Sequence, residues 1–188
     1  MRSPLAKLFA DLDTALSAVS SRWYVFDAQA AIIHGAARLT ADVDITLLYA
    51  GDDHTDLLKI LQDNAFSPRT TDPLTLIEQS RVLPVLHTPS GMPVDIVFGG
   101  PGLEEEFLQR ADKVDIDGVQ VPVASAEDTI VMKILAGRAK DIEDASAVVA
   151  AQANKLDMHR VRSVLGMLEK VLDRSDLLPV LDDILHRV

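Results

Sequence analysis

Asp42 and Asp44 flank a single valine in "ADVDITLLY", and Asp95 lies inside the apolar run "PVDIVFG". Residues two apart on a strand share a face, so Asp42 and Asp44 point the same way. Two like charges ~4 Å apart repel by about 4 kcal/mol at an effective dielectric near 20. If the two strands pair, Asp42, Asp44 and Asp95 converge. Three carboxylates suit a hard cation, Mg²⁺ or Mn²⁺, which removes the repulsion. Such a cation polarises a phosphoryl group and lowers the pKa of an attacking hydroxyl. A second reading stays open: Asp42 caps a turn, Asp44 is solvated, and Asp95 faces solvent from an edge strand.

The elements that must position these residues are read from periodicity. Leu5, Leu8, Phe9, Leu12, Leu16 and Val19 have helical spacing over 4–19. "WYVF" (23–26) and "DVDITLLY" (42–49) read as strands, with a short helix over 29–37 between them. "HTDLLKILQDNAF" (54–66) reads as an amphipathic helix. "RVLPVLHT" and "PVDIVFG" are strands joined by the turn formers of "PSGM". "LEEEFLQRA" is a short helix, and "VDIDGVQVPV" a hairpin turning at Asp117-Gly118.

From Ser125 the pattern is helical throughout, with Ser125 as N-cap and a break at Gly137. Asp157 and Ser175 are the expected N-caps of two closing helices. The expected fold is therefore α/β (α+β): a mixed sheet with helices over residues 1–124, and a C-terminal helical segment over 125–188 packed on it.

The chain has 188 residues and 48% hydrophobic residues, enough for a real core, and only 4% aromatics, so aliphatics must build it. With no cysteine, disulfides and thiolate metal sites are excluded. The net charge of -11 opposes broad phosphate-neutralising contact with nucleic acid, though a local basic groove is compatible with it. No stretch reaches the ~20 apolar residues of a membrane span, and "MRSPLAKLFADLD" lacks a signal-peptide profile. A cytoplasmic protein without membrane contact is the expectation.

"HGAARLTADVDITL" resembles the core of the polymerase-beta-type nucleotidyltransferase superfamily. Ala30, His34, Gly35, Arg38, Thr40, Asp42 and Asp44 match its motif in order, and "PVDIVF" supplies the third aspartate as Asp95. "IVMKILAGRAKDIEDA" resembles the corresponding segment of the AbiEii-type (abortive-infection toxin) branch through Lys133, Arg138, Lys140, Asp141 and Asp144.

The resemblance implies a Mg²⁺-dependent enzyme that transfers NMP from an NTP, such as ATP, to a hydroxyl. The acceptor is left open among RNA, protein and small molecules. It implies that Asp42, Asp44 and Asp95 ligate metal, that Asp95 helps deprotonate the acceptor, and that Lys133 approaches the triphosphate. It further implies that Ala28, Gln29, Arg38, Thr40 and Asp141 belong to the nucleotide site or its rim. A toxin role in a two-gene system is compatible with it.

One departure stands out. Where the family carries Gly-Gly or Gly-Ser at the phosphate-binding helix start, this chain has Asp27-Ala28. Either Asp27 caps the following helix, or triphosphate binding is impaired and the protein is a non-catalytic binding or regulatory module, antitoxin-like or dimeric. The apolar closing helices leave two uses open, a face for a second copy or cognate partner, and packing on the chain's own core.

Overall fold

The row of side chains that matters most is set by strand register. In the computed structural model, which describes residues 2–51 and 53–187, β2 (Val43–Leu48) lies parallel to β5 (Met92–Phe98), with Asp44 directly opposite Asp95. On the other side of β2, antiparallel β1 (Arg22–Phe26) puts Phe26 opposite Asp44. On the other side of β5, antiparallel β4 (Val82–His87) puts Pro84 opposite Asp95. Lateral neighbours in a sheet share a face, so Phe26, Asp44, Asp95 and Pro84 form one row.

Burial explains why this row can be polar. Val43, Ile45, Val94 and Ile96 are fully buried and alternate with Asp44 and Asp95, which are only half-buried. Hydrophobic alternation thus assigns one face to the core and leaves the aspartates on the other.

Among the described residues the sheet has seven strands in the order β3-β4-β5-β2-β1-β7-β6. β3 is Phe66–Pro68, and β6 (Asp112–Ile116) and β7 (Val119–Val123) form the expected hairpin. The β1–β7 and β2–β5 pairs are parallel and the rest antiparallel, so the sheet is mixed. Leu8, Phe9, Leu12 and Leu16 of α1 (Pro4–Ala18) are fully buried. The buried His87 ring ties α1 to β4, with Nε2 2.9 Å from Asp11 and Nδ1 2.7 Å from Ser90.

Two compact units divide the chain: residues 1–26 with 40–124, and residues 27–39 with 125–188. The first holds the sheet, α1, α3 (His54–Asp63), α4 (Pro73–Ser80) and α5 (Leu103–Arg110). The second is helical: α2 (Asp27–Ile33), α6 (Ala126–Ala136), α7 (Ala139–Gln152), α8 (Met158–Leu172) and α9 (Leu177–Arg187). Residues 27–39 therefore group with the C-terminal helices. No helix of the described residues is long and apolar enough to cross a membrane.

Several boundaries differ from expectation. α3 stops at Asp63 rather than Phe66, because Ala65 turns left-handed at φ 66° and Phe66 enters β3. α2 runs 27–33 rather than 29–37, since Gly35 takes φ 116°. Val180 N–H donates to the Asp176 carbonyl, so α9 is entered one residue after Ser175. Ser125 and Asp157 do cap α6 and α8, and Gly137 breaks the helix at φ 69°.

Candidate functional site

In the sheet unit, Asp44 and Asp95 are brought side by side by parallel pairing. Asp42 precedes β2 and is exposed, and its N–H donates to the Thr40 hydroxyl at 3.4 Å in a local turn. The expected pairing of the strands is found. The expected convergence of Asp42 with Asp44 and Asp95 is not, because Asp42 lies outside the strand. Among the described residues, no group of three or more His, Cys, Asp or Glu is placed to hold a metal.

One oxygen of the pair is left unsatisfied. Asp95 Oδ1 is buried and accepts no hydrogen bond. Arg69 Nη2 stands 3.5 Å from that oxygen, an ion-pair distance without hydrogen-bond geometry. A buried carboxylate oxygen with no donor is costly, and a cation satisfies it. Mg²⁺ is usually held by one or two carboxylates, keeping waters and substrate phosphates in the rest of its sphere. Asp44 and Asp95 fit that donor set.

Arg69 was not expected from sequence. Its backbone N–H donates to the Pro84 carbonyl at 2.9 Å, continuing the β3–β4 ladder by one residue. That register extends the row to Phe26, Asp44, Asp95, Pro84 and Arg69.

In the helical unit, Lys133 is 1% exposed and surrounded by carboxylates. It donates to Asp27, to Asp141 at 3.0 Å, and stands 2.8 Å from Asp144. An ammonium has three N–H donors, and three carboxylates take them. For Lys133 to reach a triphosphate, it must leave one of these partners.

Two guanidinium groups complete the network. Arg38 pairs with Asp144 at 2.7 Å, and Arg138 with Asp141 and, at 3.7 Å, with Asp27. Three cations thus meet three anions in balance.

Burial alone would lower the Lys133 pKa, but the hydrogen bonds to Asp144, Asp27 and Asp141 raise it above its usual value. Burial alone would raise the Asp141 pKa, but its bonds with Arg138 and Lys133 hold it below the usual carboxylate range.

Asp27 begins α2 at φ 52°, in the left-handed region where glycine is normally found. Asp is among the side chains that tolerate it. The Asp27 carboxylate goes to Lys133 and Arg138 and not to the start of its own helix. Ala28 and Gln29 follow it, buried within α2. Gly35 is required by contact, since a Cβ there would lie 2.4 Å from the Ala151 Cβ.

The arrangement has relatives. A model of a nucleotidyltransferase family of unknown function (DUF6036) matches residues 4–176. No curated protein matches the chain. The fold is similar to the solution structure of the antibiotic-resistance factor ANT(2'')-Ia, with 14% identity, TM-score 0.61, 92% of this chain and 97% of that one covered. It is similar to the crystal structure of ANT(2'')-Ia in complex with adenylyl-2''-tobramycin, with 13% identity, TM-score 0.57 and 86% and 94% covered. An antigenic nucleotidyltransferase-like protein from Paracoccidioides brasiliensis is 18% identical, with TM-score 0.56 and 95% and 92% covered. At these identities the likeness shows the fold.

Proposed function

The chain belongs to the nucleotidyltransferase family whose model spans residues 4–176, and from that premise we propose that it transfers NMP from an NTP to an acceptor hydroxyl with Mg²⁺ or Mn²⁺. The observation that carries the reading is the Asp44–Asp95 pair, with its buried Asp95 oxygen that accepts no hydrogen bond. Asp44 and Asp95 would hold the cation, and Asp42, exposed on the turn before β2, would be the third carboxylate that the family resemblance calls for. The cation, when bound, polarises the α-phosphate and acidifies the acceptor hydroxyl. Asp95 takes the hydroxyl proton. The acceptor oxygen bonds to the α-phosphorus as the bond to the β-phosphate oxygen breaks, and pyrophosphate leaves.

The family resemblance assigns Arg38, Thr40, Ala28 and Gln29 to nucleotide recognition, and within the helical unit the Lys133–Asp141 network holds α2 through Asp27. The net charge of -11 favours an acceptor that is not a polyanion. A small hydroxylated acceptor agrees with the ANT(2'')-Ia complex, which holds adenylyl-2''-tobramycin. The AbiEii-type resemblance of the Lys133–Asp144 segment supports a place near that branch.

A second reading, a non-catalytic binding or regulatory protein of the same fold, is favoured by Asp27. Its carboxylate occupies Lys133 at the position where the family carries glycine for phosphate. One experiment separates the two. The protein is incubated with each α-labelled NTP, Mg²⁺, and in turn total RNA, lysate protein and small polyols. Release of pyrophosphate with label on one acceptor class supports transfer. Folded protein that transfers nothing and gains no stability from Mg²⁺ with NTP supports the second reading.

A further inference from the structure

One strand, β4, lies between Arg69 and Asp95, yet their side chains meet. Adjacent strands lie ~4.8 Å apart, so a residue two strands away starts nearly 10 Å off, within reach of an arginine but not of most side chains. Pro84 lies between them in the row, and its short ring lets the guanidinium pass above the sheet. Arg69 ends 3.5 Å from Asp95 Oδ1, the oxygen that no hydrogen bond satisfies. Arginine frequently pairs with a carboxylate through two aligned N–H bonds, and this contact has none. This one supplies charge without a bond.

We infer that Arg69 is a built-in counter-ion that stands in for the cation on Asp95 and must be displaced before the cation binds. This rests on the metal role proposed for Asp44 and Asp95. The consequence is ordered loading. A bare divalent cation must expel a positive charge from a two-carboxylate site. A cation arriving with a triphosphate brings oxygen ligands and negative charge, which complete its sphere and give the released guanidinium an anionic partner. Cation binding is thereby coupled to nucleotide binding, and Arg69 is the positioning residue that sets the coupling.

Mn²⁺ binding, followed by the loss of the free-ion electron paramagnetic resonance signal, tests this on the full chain with and without a non-hydrolysable NTP analogue. Arg69→Gln should bind Mn²⁺ alone about two- to fivefold more tightly than wild type, the range a half-exposed ion pair supports. The nucleotide's enhancement of Mn²⁺ affinity should shrink by the same factor. Arg69→Lys, which keeps the charge on a shorter reach, should fall between the two. That variant carries the test if the Gln variant fails to fold. A merely structural Arg69 predicts lower stability in both variants and no tighter Mn²⁺ binding. Wild-type Mn²⁺ binding with no gain in either variant overturns the inference and leaves the metal site standing. No Mn²⁺ binding by wild type, with or without nucleotide, overturns the metal reading and this inference with it.

Discussion

The Lys133 ammonium on α6 lies 3.0 Å from the Asp141 carboxylate on α7, and both side chains are enclosed by protein. Their pKa values move in opposite directions, so they bound stability from opposite ends of the pH scale. Asp141 is held below its ordinary 3.8 by Arg138 and Lys133, against burial. A depressed carboxylate gives stability that is present above 3.8 and lost as pH falls through the lower folded value. Lys133 is raised above 10.5 by Asp144, Asp27 and Asp141, against burial. Its contribution is full below 10.5 and lost as pH rises through the higher folded value. The contribution of this pair to the denaturation midpoint should therefore be flat between these limits and fall outside them. Asp141→Asn should cost about 3–5 kcal/mol at pH 7 and flatten the acid limb, since it removes one partner of a buried pair. An acid limb identical to wild type would remove Asp141 from this account.

Asp27 lets charge be separated from backbone. Asp27→Asn keeps a side chain tolerant of the left-handed φ of 52° but removes the anion beside Lys133. It should destabilise by about 1.5–3 kcal/mol, the worth of a hydrogen bond to a charged group. Asp27→Gly relieves the backbone yet gives the unfolded chain more freedom, so it should lie within about 1 kcal/mol of the Asn variant. Both should bind NTP with Mg²⁺ more tightly than wild type, measured by calorimetry, because a negative charge is gone and Lys133 regains a donor. Tighter binding in the Gly variant alone would place the effect in the backbone and not in the charge.

Gly35 sits in the motif for a packing reason. Its φ of 116° and the 2.4 Å approach that a Cβ would make to Ala151 leave no room for a side chain. Gly35→Ala should cost at least about 2 kcal/mol, combining overpacking with the strain of a left-handed alanine. Adding Ala151→Gly should recover the overpacking part and not the strain. Equal destabilisation of the single and double variants in urea would argue against the contact.

The sequence carried the fold where patterns were long and lost it where they were short. β2 and β5 were legible from the apolar runs around Asp44 and Asp95, and the α6–α7 break from Gly137. α3 was read through to Phe66 because that residue continues the helical spacing, and the left-handed turn that ends the helix falls on Ala65, which no composition rule flags. α4 was missed although Asp72 and Pro73 are its N-cap and first-turn proline. Residue types pointed to Asp44 and Asp95, and the family resemblance to Lys133 and Asp141. Arg69 was invisible, because its approach to Asp95 depends on a three-strand register and on Pro84 lying between them. The fate of Asp27 depended equally on tertiary structure: helix-capping logic gave it to its own helix, whereas the buried Lys133 offered a stronger partner.

Asp44 is the residue on which a metal role and a structural role disagree in sign. It shares a row with Asp95, so in metal-free protein two carboxylates face the same side of adjacent strands. Arg69 offsets part of the repulsion, at 3.5 Å from Asp95. Asp44→Asn keeps the shape and removes one charge, and it should raise stability in EDTA by at most about 1 kcal/mol. With Mg²⁺ and NTP at a hundredfold excess over Kd, wild type should gain about 2.7 kcal/mol. The variant should gain little, because a ligand has been lost. The expected outcome is thus a crossing: the variant is the more stable protein in EDTA and the less stable one with Mg²⁺ and nucleotide. An aspartate kept for local structure predicts the reverse in EDTA and an unchanged response to Mg²⁺. Urea denaturation of both proteins under both conditions decides it. A variant weaker in EDTA with a full Mg²⁺ response would take Asp44 out of the site and the proposed transfer chemistry with it.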